Sequence, residues 1–159
     1  MFICDRTLGK LAKWLRILGF ETKYIKIYDD IELLEEVAKT KGFIFLSRNV
    51  KILKNIDPLK SYLVKSDSYK DQLREISKFF PPEWSKKLCT LCSVCGSRLQ
   101  SIDKKEVKHL LPEYVFDHYD NFKYCSSCSK VYWKGTHLNK IIDEIIRIFP
   151  GKLSDSMRE

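Results

Sequence analysis

No run of apolar residues in this chain is long enough to cross a bilayer as a helix. The opening residues also lack the pattern of a secretion signal, because Asp5, Arg6 and Lys10 interrupt the early apolar stretch. These absences argue against a helical membrane protein and lead us to expect a soluble, cytoplasmic one with no membrane partner. Acidic charge is in deficit: 21 Asp and Glu stand against 29 Lys and Arg, for a net charge of +8 over 159 residues. That balance suits a polyanionic partner, most often nucleic acid. Histidine is scarce, with three in the chain; His109 and His118 have no partners in the sequence and are assigned no role. What the chain does have is 44% hydrophobic residues and 13% aromatics, enough for a real core and too many for wholesale disorder. The length suits one ordinary domain, or a medium domain carrying a small stapled one. Six cysteines in a reducing compartment point to metal ligation or structural thiols before disulfides.

The first half alternates strand and helix signals. Met1–Cys4 is a short apolar run that stops at Asp5. Leu8, Leu11, Ala12, Leu15 and Leu18 then share one helical face, with Arg6, Lys10, Lys13 and Arg16 on or near the opposite one. Thr22–Tyr28, rich in aromatic and β-branched residues, reads as a second strand ending at Asp29-Asp30. Ile31, Leu34, Val37 and Ala38 recur at helical spacing, and Gly42 suits the stop. Phe43–Leu46 is greasy throughout, as a strand covered on both faces by helices must be. A short helical turn within Lys51–Lys60, a fourth strand at Ser61–Val64 and a helix marked by Leu73, Ile76 and Phe80 follow, and Pro81-Pro82 ends that helix. Alternation at this spacing means right-handed crossovers and an α/β fold with a parallel sheet.

Polar residues follow each expected strand: Asp5, Asp29 or Asp30, Asn49 and Asp67. Carboxylates gathered at the carboxyl edge of a parallel sheet repel one another, and a hard divalent cation such as Mg²⁺ or Mn²⁺ offsets that repulsion. The same residues are also the natural caps and turn formers of helix starts. Both readings stand at this point.

The second half changes character after Pro81-Pro82. Cys92-x-x-Cys95 and Cys125-x-x-Cys128 read as a tetrahedral four-cysteine zinc site. Cys89 is equally spaced from Cys92, but Gly96 directly follows Cys95 and suits a knuckle turn, so Cys89 is taken as a spare thiol. Four thiolates leave no open position for water, so the zinc is expected to be structural and coupled to folding. Between the pairs, Lys104, Lys105, Lys108 and Lys123 interleave with Tyr114, Phe116, Tyr119, Phe122 and Tyr124. The lysines are candidates for RNA contacts, while most of the rings read as a small hydrophobic cluster. Thr136 is placed as the N-cap of a last helix whose apolar stripe, Leu138, Ile141, Ile142, Ile145, Ile146 and Phe149, is expected to dock on the first domain. His137 reads as a hydrogen-bonded structural residue, with zinc ligation or an RNA contact as the alternatives.

The segment Asp5-Arg6-Thr7-Leu8-Gly9-Lys10-Leu11-Ala12, with Trp14-Leu15-Arg16 and Leu18-Gly19, resembles the opening of the Mut-seven C-terminal RNase domain family. The resemblance continues through Asp30 before Glu32-Leu33-Leu34, through Phe45-Leu46-Ser47-Arg48-Asn49 and Gln72-Leu73-Arg74, and through Cys92, Cys95 and Val131–His137. It implies a PIN-like three-layer α/β/α sandwich over residues 1–82, and a zinc ribbon with a terminal helix over 83–150. A tail over 151–159 is expected to fray. It also implies an acidic pocket that binds Mg²⁺ or Mn²⁺ and hydrolyses RNA, with Asp5 and Asp30 as metal ligands and Asp67 near a further acidic position. Where the family carries an acid, this chain has Asn49, which can coordinate but brings no charge. Lys10, Lys13, Arg16 and Arg48 would guide the RNA backbone. Ribosomal RNA, transfer RNA or a ribonucleoprotein particle are the partners considered, and PIN-like domains often pair as homodimers. Two functions follow: a metal-dependent endoribonuclease, or a noncatalytic RNA-binding module with a weakened acidic site.

Overall fold

The computed structural model describes residues 1–152, so most of the tail expected to fray lies outside the described residues. The chain forms two compact units, Met1–Gly96 and Ser97–Glu159.

In the first unit, β1 (Phe2–Cys4) leads through a 3-10 turn (Arg6–Leu8) into α1 (Gly9–Ile17). There follow β2 (Thr22–Tyr24), α2 (Asp30–Ala38), β3 (Ile44–Ser47), α3 (Val50–Leu53), β4 (Ser61–Leu63) and α4 (Tyr69–Ile76). All four strands are parallel, in the order β2-β1-β3-β4. The second strand is shorter than its β-prone residues suggest, because its partner β1 supplies only three residues, Phe2 to Cys4, to pair with. Side chains alternate across the sheet. Ile3 and Phe45, paired in register, point to the face where Leu33 and Val37 of α2 and Ile52 of α3 complete a buried cluster. The apolar face of α1, Leu11, Ala12 and Leu15, is buried, as are Leu73 and Ile76 of α4, and the two helices pack on each other. Each such side chain contributes roughly 1.5–3 kcal/mol by leaving water.

The turn after α1 is a Schellman motif. Phe20 N–H donates to Leu15 O at 2.9 Å and Gly19 N–H to Arg16 O at 3.0 Å. Gly19 has φ +86°, and a Cβ there would lie 2.0 Å from Lys87 O, so no other residue fits without moving the backbone. The unit runs past Pro81-Pro82 because later residues are tied into it. The Trp84 ring packs edge-on to Phe80, and Cys89 N–H donates to Ile17 O at 2.8 Å.

The second unit is an antiparallel sheet, β5 (Gln100–Ile102), β6 (Phe122–Cys125) and β7 (Lys130–Trp133), in the order β5-β6-β7. Between β5 and β6 lie a 3-10 stretch (Lys104–Leu110) and α5 (Glu113–His118); α6 (Thr136–Ile148) follows β7. Its buried side chains include Val107, Phe122, Ile142, Ile145 and Ile148. Thr136 is the first helical residue, not the cap: Gly135 takes the cap position and offers no side chain to the helix. Among the described residues, no helix is long and apolar enough to cross a membrane.

Candidate nucleic-acid and metal site

In the order β2-β1-β3-β4, the chain leaves β1 toward β2 and leaves β3 toward β4, so the crevice at the switch point opens between the carboxyl ends of β1 and β3. Asp5 sits there, 1% exposed. Its Oδ1 accepts from Thr7 N–H at 2.9 Å, capping the 3-10 turn, and from the Thr7 hydroxyl at 2.5 Å. Its Oδ2 accepts from the Ser47 hydroxyl at the end of β3. Each hydroxyl is itself oriented by the next loop: Asn49 N–H donates to Ser47 Oγ at 2.9 Å, and Arg48 N–H to Thr7 Oγ1 at 3.4 Å. Two parallel relays, amide to hydroxyl to carboxylate, therefore fix Asp5. Three donors aimed at a buried carboxylate compensate for the water it has lost. Beside it, burial pushes the Cys4 thiol far above its ordinary range, with the Asp5 charge adding and Arg16 opposing. Cys4 is thus a packing residue and not a nucleophile.

Capping geometry accounts for several of the polar residues at this edge. Asn49 caps α3, its Oδ1 accepting from Lys51 N–H at 3.0 Å. Asp29, not Asp30, caps α2, accepting from Glu32 N–H at 2.9 Å, and Asp30 is the exposed first residue of that helix. Asp67 is exposed and ion-paired to Arg48. An exposed pair of this kind is worth about 0–1 kcal/mol, so it is readily exchanged for another partner. The loop bearing Asp67 is held by α4: Gln72 Nε2 donates to Ser66 O at 3.0 Å and Asp67 O at 3.2 Å. Glu75 accepts from Lys65 and Ser66 N–H, both at 2.9 Å.

Strands lie ~4.8 Å apart, so the positions after β2 and β4 are about 14 Å apart at the backbone and cannot share one ion with Mg²⁺ ligand distances near 2.1 Å. Asp5 and Asn49, on neighbouring strands, are the adjacent pair at the centre. The donors there, a carboxylate with hydroxyl and amide oxygens, match a hard cation in kind while offering little charge. Among the described residues, Cys92, Cys95, Cys125 and Cys128 are the one set of three or more His, Cys, Asp or Glu whose ligand atoms converge. Their sulfurs all lie within 4.8 Å of one another. A tetrahedral zinc with ligands at 2.3 Å requires a separation of about 3.8 Å, which falls inside that limit.

The expected RNA-guiding cations fare differently. Lys13 and Lys105 are exposed, and Lys10 lies over the Tyr69 ring, its Nζ 4.1 Å from the centroid. Lys104 pairs with Asp120 at 2.9 Å and lies over Phe116. Arg16 is not on the cationic surface: it is 6% exposed, with Nε donating to Thr22 O at 2.9 Å and Nη1 to Val94 O at 2.5 Å. Its guanidinium is committed to these two backbone carbonyls. Sequence reasoning missed Thr7 and Ser47, the two hydroxyls that orient Asp5. The only local signal was a threonine two residues after an aspartate.

No curated protein and no solved structure matches the chain. A family model described as the Mut7-C RNAse domain matches residues 1–145, from β1 to within α6. An α/β unit with a four-stranded parallel sheet, followed by a cysteine cluster suited to zinc, is what the match spans, and the chain belongs to the Mut7-C RNase domain family.

Proposed function

We propose that the protein is a divalent-cation-dependent endoribonuclease whose reaction is centred on Asp5. The observation that carries this reading is the placement of Asp5: a buried carboxylate at the switch point between β1 and β3, oriented by Thr7 and Ser47, in a chain of RNase family membership. Asp5, with Asn49 beside it, would hold one Mg²⁺ or Mn²⁺ at the centre, while Asp30 and Asp67, in the segments that follow β2 and β4, would each serve from its own side and not share one ion. When bound, such an ion polarises a water and the scissile phosphate. The relays through Thr7 and Ser47 hold the Asp5 carboxylate in one orientation, so no reorganisation is needed as charge develops at phosphorus. Lys10, Lys13 and Arg48, with Lys104 and Lys105, contribute the phosphate contacts, and binding weakens steeply as salt rises. The four cysteines hold a structural zinc.

One observation favours the second reading, a noncatalytic RNA-binding module on a ribonucleoprotein partner. Asn49 replaces charge with an amide whose oxygen already caps α3. Cleavage of labelled RNA by the purified protein separates the two. The nuclease reading expects Mn²⁺-dependent cleavage that drops at least about 100-fold in Asp5→Asn, and a gain in Mn²⁺ affinity in Asn49→Asp. RNA binding without cleavage in either metal would overturn it in favour of the second.

A further inference from the structure

The loop between β2 and α2 carries an aromatic ring that no core claims: Tyr28 is 79% exposed. The ring is nonetheless fixed. Arg6 Nη1 donates to Ile27 O at 3.3 Å and to Tyr28 O at 3.0 Å, and its Cζ lies 4.9 Å from the ring centroid. Arg6 is itself braced, because Tyr24 OH donates to Arg6 O at 3.3 Å. That brace depends on Gly9, where a Cβ would meet Tyr24 OH at 2.7 Å. Arg6 directly follows Asp5, so a single residue joins the buried carboxylate to the exposed ring.

An exposed tyrosine backed on one face by a guanidinium leaves its other face to a planar ligand. Aromatic faces of this kind stack nucleobases without regard to sequence, and a cation behind the ring strengthens the stack. The neighbouring charges are mixed: Lys26 is exposed two residues away and Arg6 backs the ring, the Asp29 carboxylate caps its own helix, and Asp30 and Glu32 are exposed at the start of α2. The net charge of +8 on the whole chain suits a polyanion such as RNA. We infer that Tyr28 is a base-stacking residue, gripping the nucleobase of a single-stranded RNA nucleotide that flanks the phosphate at Asp5. The inference rests on the RNA-directed reading above and deepens it by naming a contact for the base.

The test uses the full-length zinc-loaded protein and a short fluorescent single-stranded oligoribonucleotide, whose affinity is read by anisotropy. Tyr28→Ala is expected to bind roughly 5- to 150-fold more weakly, while Tyr28→Phe, which keeps the ring, stays within about twofold of the wild type. An oligonucleotide lacking one base at the stacked position reproduces the loss with wild-type protein and adds nothing further with Tyr28→Ala. Because the ring is exposed, the thermal unfolding midpoint of Tyr28→Ala should match the wild type, which separates lost stacking from lost folding. Unchanged affinity in Tyr28→Ala, or base-removal and Tyr28→Ala losses that multiply, would overturn the inference. In that case Asp5→Asn still reports on the nuclease reading independently. Wild-type protein that neither binds nor cleaves RNA would overturn both.

Discussion

The first unit, Met1–Gly96, is built on a four-stranded parallel sheet whose central strand is buried throughout, with Leu8, Leu11, Leu15, Phe45 and Leu73 fully or almost fully hidden. The second, Ser97–Glu159, has a three-stranded antiparallel sheet of strands three or four residues long and a buried set resting largely on one helix, α6. A core of the first kind can support a fold by area alone. The second is smaller than the length at which apolar burial usually suffices, and its Cys125 and Cys128, clustered with Cys92 and Cys95, could hold a zinc that makes up the difference. The comparison teaches that the two halves should fail for different reasons: one by cavity, the other by chelation.

The largest expected effect sharpens that contrast. Removing zinc with a chelator, or replacing the buried Cys125 by Ser, should unfold residues 97–152, since structural zinc contributes on the order of 10–16 kcal/mol in small domains. Limited proteolysis confined to that stretch, with one zinc per chain by elemental analysis beforehand, checks it; a stable metal-free second unit would erase the distinction. Next, Phe45→Ala should cost the first unit about 3–5 kcal/mol in urea unfolding, because Phe45 is fully buried at the register position beside Ile3. That loss should be the same with and without chelator.

A smaller effect is expected where the first unit departs from a plain apolar core. Ser47→Ala removes the donor to Asp5 Oδ2 and the acceptor of Asn49 N–H, at a cost of about 1–3 kcal/mol in denaturant unfolding. If the relay also orients Asp5 for chemistry, RNA cleavage should fall further than stability explains. Smallest is the contribution of Glu75. Partial burial pushes its carboxyl up, but the Lys65 and Ser66 N–H groups, the Ser66 side chain and the Tyr62 hydroxyl outweigh this and hold it below its ordinary value. A carboxylate lowered in the folded state adds stability that is full above the unfolded value, near 4.5, and is lost as pH falls through the folded one. Glu75→Gln should therefore lower stability by on the order of 1 kcal/mol at neutral pH and converge with the wild type in acid. Urea midpoints across the acid range measure this.

Much of the first unit could be read in advance because its signals are local. Phe43–Leu46 is apolar without a break, Gly19 punctuates α1, Asp5 directly follows β1 and Asn49 comes two residues after β3. What escaped reading is separated along the chain. Ser47 donates to Asp5 from 42 residues away, and the contact exists because β1 and β3 pair with Cys4 opposite Leu46. Arg16 fell on the cationic side of a helical wheel, yet its guanidinium is drawn inward by Val94 O, 78 residues distant. No secondary structure is assigned from sequence within residues 97–124, which fold as a three-residue strand, a 3-10 stretch, a six-residue helix and the start of β6, each shorter than the window in which a pattern shows.

By itself the order of residues determined the alternation of strands and helices, the end of α1 at Gly19 and the paired Cys-x-x-Cys spacing, since each depends on neighbours within a few residues. Tertiary structure alone decided that Asp5 is gripped by Ser47 as well as by its neighbour Thr7, that Arg16 is buried, and that Tyr28 stands exposed against Arg6. Those outcomes follow from strand order and register, which bring distant side chains within hydrogen-bond reach and which no local window contains.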